Sequence, residues 1–349
     1  MDWHEKLQRP KKYIAWSWKW AFLAVVMGIV GGLLGAVFHH VLHFVTHLRL
    51  EHTWLVLLLP VGGLLTVAWY RLLKLKRNRG TNEIIDAVLD GEELKPQIAP
   101  GIFGAAVLTH LFGGSAGREG AALQLGGSAA SFLSKLFGLK RHSRRVLIMA
   151  GMSSVFAGLF GTPLTAALFC MEFESVGMIF SPALLPCYLA AFTASSVSGL
   201  LGVHAEGYLL ENAAVLSLGN LWAYLLLAIL ISILGTIMVR VFHGAEHLSA
   251  HHVKNPWLRI AVGGAIIAAL TYLVGDHRFN GAGMDMALEA VQGHADWYSF
   301  LLKMLFTAIT LAAGFKGGRS SPPSVSAPPS AVWWAVCWVW TRDFAAHWV

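Results

Sequence analysis

Four long apolar runs restrict this chain more than any other feature: Ala21 to Val45, Trp54 to Leu73, Leu221 to Val241 and Ile260 to Val274. Each is near the ~20 residues that a helix needs to cross a bilayer. In hydrocarbon a backbone must satisfy its own N–H and C=O groups, which leaves helices for runs of this length. The rest of the composition agrees, with 56% of 349 residues hydrophobic and 13% charged, and a mean hydropathy of +0.59. The 36 glycines suit close helix packing and interrupted helices. The expected class is an all-α, polytopic membrane protein. The N-terminus is polar and basic and the first apolar run is too long for a signal-peptide core, so no cleavable signal peptide is expected. Cys170, Cys187 and Cys337 are scattered in apolar sequence, which argues against a disulfide framework.

A net charge of +7 does not point to nucleic acid. The basic residues fall in three short segments beside apolar runs, Lys6 to Lys12, Arg71 to Arg79 and Lys135 to Arg145. Such clusters mark cytoplasmic loops, with contact to anionic lipid as the alternative.

The chain resembles itself. Gly31 to His47 reads GGLLGAVFHHVLHFVTH and Gly235 to His251 reads GTIMVRVFHGAEHLSAH. At an offset of 204, Val37-Phe38-His39 pairs with Val241-Phe242-His243, His43 with His247, and His47 with His251. At an offset of 201, Gly80 pairs with Gly281, Thr109 with Thr310, and Gly117-Arg118 with Gly318-Arg319. Two halves with glycine-interrupted segments in matching places are the pattern of a transporter whose site lies between the interruptions. The expected organisation is a cytoplasmic segment 1–14, a first repeat 15–205 and a second repeat 206–318. About 87 residues follow Arg118 before the second half begins, but only 30 follow Arg319, so the second repeat is expected to be incomplete.

Gly113 to Ala121, GGSAGREGA, places Arg118 and Glu119 inside this bilayer-spanning pattern. A carboxylate at membrane depth costs roughly 2.5 kcal/mol or more, so it calls for a role. The glycines leave backbone N–H groups bare, and an apolar helix follows; exposed N–H groups at a helix N-terminus form an anion site.

Together these motifs resemble the chloride channel (CLC) family of anion channels and anion/proton exchangers. Gly80-Thr81-Asn82-Glu83-Ile84 stands where that family commonly has GSGIP, and Gly117-Arg118-Glu119-Gly120-Ala121 where it has GREGP. Leu305 to Thr310, running into Gly314-Phe315-Lys316-Gly317-Gly318, matches the approach to its third anion-binding loop, and Ala157 to Glu172 resembles the helix pair between. The resemblance implies a homodimer in the bilayer, multi-pass in a bacterial inner membrane, with one halide pathway per subunit. It implies no cofactor and no resident metal. Carried over by position, backbone at Gly80, Thr81 and Asn82 would line the inner side of the anion path. Gly117, Arg118, Gly120 and Ala121 would line the outer side, and Phe315, Lys316, Gly317 and Gly318 would begin the third wall. Glu119 matches the gating glutamate, whose carboxylate competes with the anion and leaves on protonation; a carboxylate mimics the anion, and low dielectric favours its neutral form.

Departures from the family refine this. Thr81 replaces a serine but keeps a hydroxyl, Asn82-Glu83 replaces Gly-Ile, and Ala121 replaces a proline. The combination is closer to the bacterial fluoride-exporting branch than to chloride exchangers. Where exchangers commonly carry paired inner glutamates this chain reads Glu172-Phe173-Glu174, so Glu172 and Glu174 are candidates for an altered proton path, with a helix-packing role as the plainer reading.

From Arg319 the likeness stops. The tail reads RSSPPSVSAPPSAVWWAVCWVW, whose prolines cannot continue a membrane helix. Read from the third base of each codon, Pro322 to Ala331 can encode Thr-Pro-Leu-Cys-Ile-Gly-Ala-Thr-Leu-Gly, close to the family's third loop. Residues 319–349 are therefore expected to be an out-of-frame tail, with a natural divergent tail as the alternative. On that expectation the chain as written would be inactive, a non-transporting relic or a regulatory membrane subunit.

Other features have plainer readings. His39, His43 and His47, like His243, His247 and His251, fall on one helical face and could hold zinc or relay protons, but no carboxylate or cysteine completes a site, and they read as interfacial. Lys316 is either an anion-attracting charge or a lysine snorkelling to the interface. Asp86 and Glu83 serve the first turn of a short helix. A membrane hydrolase built on Ser115, His110 and Glu119 lacks any nucleophile-elbow or HExxH pattern.

Overall fold

A computed structural model describes residues 3–75, 80–172, 179–204, 221–291 and 296–317. The described residues form twelve α-helices with three short 3₁₀ turns and no strand. In order these are α1 (Trp3–Glu51), α2 (Leu59–Leu72), α3 (Thr81–Asp90), α4 (Ile98–Leu111), α5 (Glu119–Leu136) and α6 (Arg141–Phe160). Then follow α7 (Pro163–Met171), α8 (Leu184–Leu200), α9 (Leu221–His252), α10 (Pro256–Val274), α11 (Met284–Val291) and α12 (Ser299–Ala313). Among the described residues, five segments are long and apolar enough to cross a membrane: Trp16–Glu51, Thr53–Leu72, Ser181–Leu200, Tyr224–His252 and Pro256–Val274. The first and fourth extend past the apolar runs that mark them in sequence. The third was not marked there, because Ser, Thr and Pro interrupt its apolar pattern.

The chain divides into two compact units, each discontinuous in sequence. One comprises Met1–His40, Asn78–Pro100 and Ala122–Glu206; the other comprises Val41–Arg77, Gly101–Ala121 and Gly207–Val349.

In the first unit α6 is the centre. Every residue from Val146 to Leu159 is buried, including Ile148, Met149 and Met152. Small residues let its neighbours approach at backbone distance: a Cβ added at Gly126 of α5 would run into the carbonyl of Gly151, and one at Gly35 of α1 would lie 2.8 Å from the Gly158 carbonyl carbon. Without a hydrophobic drive inside lipid, such contacts supply the dispersion energy that holds helices together. Ser153 Oγ donates to the Cys187 carbonyl at 3.1 Å, which adds a polar tie between α6 and α8.

In the second unit Leu59, Phe112, Ile260, Ile267, Phe279, Met286, Phe306, Ala313 and Phe315 form one buried cluster. Phe279 and Phe306 pack with ring centroids 5.6 Å apart. A Cβ on Gly264 of α10 would lie 2.8 Å from Pro60 N, which is how closely α10 approaches the start of α2. Asn255 caps α10 by accepting from Trp257 N at 3.0 Å, the usual role of Asn before a helix.

Positions paired by the internal repeat share local geometry. Gly80 and Gly281 both adopt left-handed φ, 64° and 72°, where L side chains are strained. Thr109 Oγ1 donates to the Ala105 carbonyl at 2.8 Å, and Thr310 Oγ1 to the Phe306 carbonyl at 2.7 Å.

Candidate functional site

In the first unit, Gly80 precedes α3 and supplies the positive φ that turns the chain into it. Thr81 is buried and Asn82 half-buried at its first turn. Ile84, Ile85 and Val88 anchor the helix's apolar face, with Ile84 against Gly127. The opposite end of α3 is neutralised by arginines. Arg144 Nη1 donates to the Gly91 carbonyl at 3.1 Å, Arg145 Nε to the Val88 carbonyl at 2.6 Å, and Arg141 Nε to the Asp90 carbonyl. Cations at a helix C-terminus complement its negative dipole end. The basic segment that ends at Arg145 therefore caps α3, and Arg144 is also ion-paired to Glu93 at 2.8 Å.

In the second unit, the loop Gly113–Arg118 leads into α5 and is held by hydrogen bonds to distant segments. Gly114 N donates to the Thr109 carbonyl at 2.8 Å and Gly281 N to the Gly114 carbonyl at 3.2 Å. Ser115 N donates to Thr310 Oγ1 at 3.1 Å, Ser115 Oγ shares a hydrogen bond with Thr307 Oγ1 at 2.9 Å, and Asn280 Nδ2 donates to the Gly113 carbonyl at 2.8 Å. Gly113 takes φ 84°, and a side chain there would also press on Val56 and Asn280. The loop is thus rigid by construction, which fixes the direction of the α5 N-terminus.

Glu119 is the first residue of α5 and half-buried, with Gly120 and Ala121 buried behind it. Its carboxylate folds back over Gly117: a Cβ added at Gly117 would collide with Oε2 and lie 3.1 Å from Cδ. Helical side chains lean toward the N-terminus, so a glutamate at this position covers the helix end, and only glycine at 117 leaves it room.

The third expected segment meets this loop. A Cβ on Gly317 would collide with Ala116 and lie 3.0 Å from the Gly117 carbonyl. Phe315 itself is turned into the core, 3% exposed and touching Gly63, and its amide donates to the Thr310 carbonyl at 3.3 Å. That amide closes the α12 C-terminus. Lys316 Nζ lies 5.6 Å from the Tyr70 ring centroid.

Glu172 is exposed just after α7; Glu174 and Gly318 lie outside the described residues. On the histidine stripe of α1, His43 and His47 stack at 6.5 Å and His47 Nδ1 meets Glu51 Oε1 at 3.3 Å. His247 and His251 repeat the stacking at 6.4 Å. Among the described residues, no group of three or more His, Cys, Asp or Glu could hold a metal ion. Ser115 Oγ shares its hydrogen bond with Thr307, and His110 Nδ1 bonds the Ala106 carbonyl at 2.8 Å.

Sequence reasoning passed over Arg49 and Lys303. Both are ionisable groups in apolar helices, the signal that singled out Glu119. Arg49 is 4% exposed, and Lys303 Nζ donates to the carbonyls of Phe279 at 3.1 Å and Gly281 at 2.6 Å.

Comparison with known proteins gives a consistent result. The sequence model of the voltage gated chloride channel family matches residues 62–323. A "Chloride/fluoride channel protein" of Pseudomonas syringae pv. tomato (strain ATCC BAA-871 / DC3000) is 33% identical over 329 residues, 91% of this chain and 72% of that protein. The "H(+)/Cl(-) exchange transporter ClcA" of Yersinia pestis bv. Antiqua (strain Angola) is 23% identical over 254 residues, 69% of this chain and 52% of that protein; the chain thus spans about half its length. The crystal structure of a CLC-type fluoride/proton antiporter superposes with a TM-score of 0.81 at 30% identity, covering 86% of this chain and 76% of that one. A slow cyanobacterial Cl-/H+ antiporter shares the fold, with a TM-score of 0.71 at 23% identity over 86% of this chain and 75% of that one.

Proposed function

The chain belongs to the voltage gated chloride channel family, and from that membership we propose that it carries halide across a bacterial inner membrane as a homodimer, with fluoride preferred to chloride. The observation that carries the reading is the Glu119 carboxylate folded over Gly117 at the start of α5. At that position it occupies the end of the helix where an anion would be held by the positive end of the helix dipole. Anion and carboxylate compete for one place, and protonation of Glu119 removes its claim. Halide movement is thereby linked to protons, with Glu172 and Glu174 as the inner proton route.

Backbone at Gly80, Thr81 and Asn82 supplies the inner side of the path, and Gly117, Arg118, Gly120 and Ala121 the outer side. The arginines on the α3 C-terminus favour this role, because they neutralise the negative end of that helix and leave its positive end to act on the anion. Lys316, Gly317 and Gly318 contribute the third wall together with Phe315. The preference for fluoride rests on the departures at Thr81-Asn82 and Ala121 and on the names of the more similar relatives, a chloride/fluoride channel protein and a fluoride/proton antiporter.

The test is efflux of fluoride and of chloride from proteoliposomes containing the purified chain. Glu119→Gln, which makes the neutral form permanent, is expected to abolish the pH dependence of flux. Flux indifferent to Glu119→Gln and Glu119→Ala would refute the gate. An absence of flux from folded protein would favour the non-transporting membrane subunit.

A further inference from the structure

The end of α2 and the start of α10 meet within the second unit and carry a basic, aromatic patch that the anion path does not use. Arg71, in the last turn of α2, sets its guanidinium over the Trp257 ring, with Cζ 4.8 Å from the centroid. Lys74 follows in the turn after α2, its amide donating to the Arg71 carbonyl at 3.0 Å. Lys254 precedes the Asn255 cap of α10, and Arg259 closes the first turn of that helix, its amide donating to the Asn255 carbonyl at 2.9 Å. The two helices run close together behind the patch, since Gly264 of α10 lies against Pro60 and Gly63 of α2 against Ile260.

This placement of charge is unfavourable by itself. The start of a helix is the positive end of its dipole and repels cations, and α10 has no acidic residue in its first turn. Among the described residues, none of Arg71, Lys74, Lys254 and Arg259 forms an ion pair with a carboxylate. Water screens the exposed Arg71, Lys74 and Lys254. It does not reach Arg259 Nε, which is buried and has no hydrogen-bond partner among the described residues. Arg259 Nη2 points toward the end of α12, 3.9 Å from where a Cβ on Gly314 would stand, and that helix end offsets part of its charge. The unmet Nε donor is still costly. Asn255 Oδ1 already takes the Trp257 amide, so the patch offers guanidinium donors and a dipole to whatever meets it.

Apolar surface continues from this patch along both helices. Leu258, Val262 and Ile266 recur every four residues on α10 and are exposed, and Val61, Leu65 and Leu72 share one exposed face of α2. Trp257 stands between charge and hydrocarbon, where indole rings collect at a membrane surface. A ligand that suits the whole surface is anionic at one end and apolar at the other. We propose that the paired ends of α2 and α10 bind an anionic phospholipid, its phosphate held by Arg71, Arg259 and the α10 dipole and its acyl chains laid along the exposed faces of the two helices. Basic residues beside a spanning helix attract such headgroups, and the planar fork of arginine matches phosphate oxygens. None of these residues belongs to the proposed anion path, so the inference stands or falls independently of the Glu119 gate.

The test is titration of the purified full chain in detergent with phosphatidylglycerol and, separately, phosphatidylcholine, with bound lipid counted by native mass spectrometry. Phosphatidylglycerol is expected to bind about tenfold more tightly or better, and equal affinity for the two lipids overturns the proposal. Arg71→Gln is expected to weaken phosphatidylglycerol about fivefold, the effect of one basic residue at an anionic surface. Arg259→Gln is expected to weaken it about tenfold or more, as for a charge-assisted hydrogen bond; if that variant does not fold, the exposed Arg71 decides. Lys140→Gln, at an exposed basic residue of the first unit, is expected to change affinity less than twofold. Binding unchanged by Arg71→Gln overturns the site, and so does an equal loss with Lys140→Gln, which would report overall charge. Glycerol phosphate, the headgroup without its chains, is expected to leave the lipid bound at millimolar concentration. Its displacement of the lipid would reveal a site for free phosphate and overturn the lipid assignment.

Discussion

Gly117→Ala is the sharpest perturbation of the gate, because it adds one methyl and no charge. Gly117 does not have a positive φ, so alanine fits its backbone. The added Cβ would collide with Glu119 Oε2 and come within 3.1 Å of Cδ and 3.4 Å of Oε1, so the whole carboxylate must move on the order of 1 Å to regain ordinary contact. A glutamate side chain clears that distance by leaving its staggered well by about 30°, at a cost of about 0.5–1.5 kcal/mol. That shifts the covered state relative to the uncovered one by roughly 2- to 13-fold. If the carboxylate competes with halide, the half-saturating halide concentration for efflux falls by a similar factor. The assay is initial efflux from proteoliposomes against halide concentration, in the wild-type and Glu119→Gln backgrounds. In the Glu119→Gln background, where no charge competes, Gly117→Ala is expected to add less than twofold. An equal effect in both backgrounds, or none in either, would refute the reasoning, since contacting residues that share one mechanism must couple.

Further tests address the framework of the site. Thr310→Val leaves the buried Ser115 amide without the acceptor it now has at 3.1 Å, and is expected to lower stability by about 1–3 kcal/mol in a detergent melt; Thr310→Ser should restore it, and an unaltered melt for the valine variant would count against the clamp. Asn280→Ala removes the donors to the Gly113 carbonyl and to Thr271 Oγ1, with a similar expected loss read by the same melt. Arg145→Ala uncovers the Val88 carbonyl at the α3 C-terminus; about 1 kcal/mol of stability is expected to go, and halide affinity should fall with it if the α3 dipole acts on the anion.

The sequence by itself determined the class of this protein, an all-helical membrane protein of the voltage gated chloride channel family. Uninterrupted apolar runs leave the backbone no partner but itself, so helices at Ala21 to Val45 or Ile260 to Val274 follow from local pattern. Glu119 stood out because a carboxylate in such a context is expensive, and Gly117 because a glycine there leaves the carboxylate room. Arg49 and Lys303 carried the same signal and could have been read the same way; their position near the ends of apolar helices disguised them as interfacial charges. What only the tertiary structure decided were relations across the chain. Ser115 meets Thr310 across 195 residues, Asn280 meets Gly113 across 167, and the arginines after α5 reach back to close α3. The Phe315 ring is buried in the core of the second unit, where Gly63 leaves room for it. Periodicity and composition are local quantities, whereas a hydrogen bond between distant segments depends on which helix faces meet, and that is fixed by the packing of small against large residues.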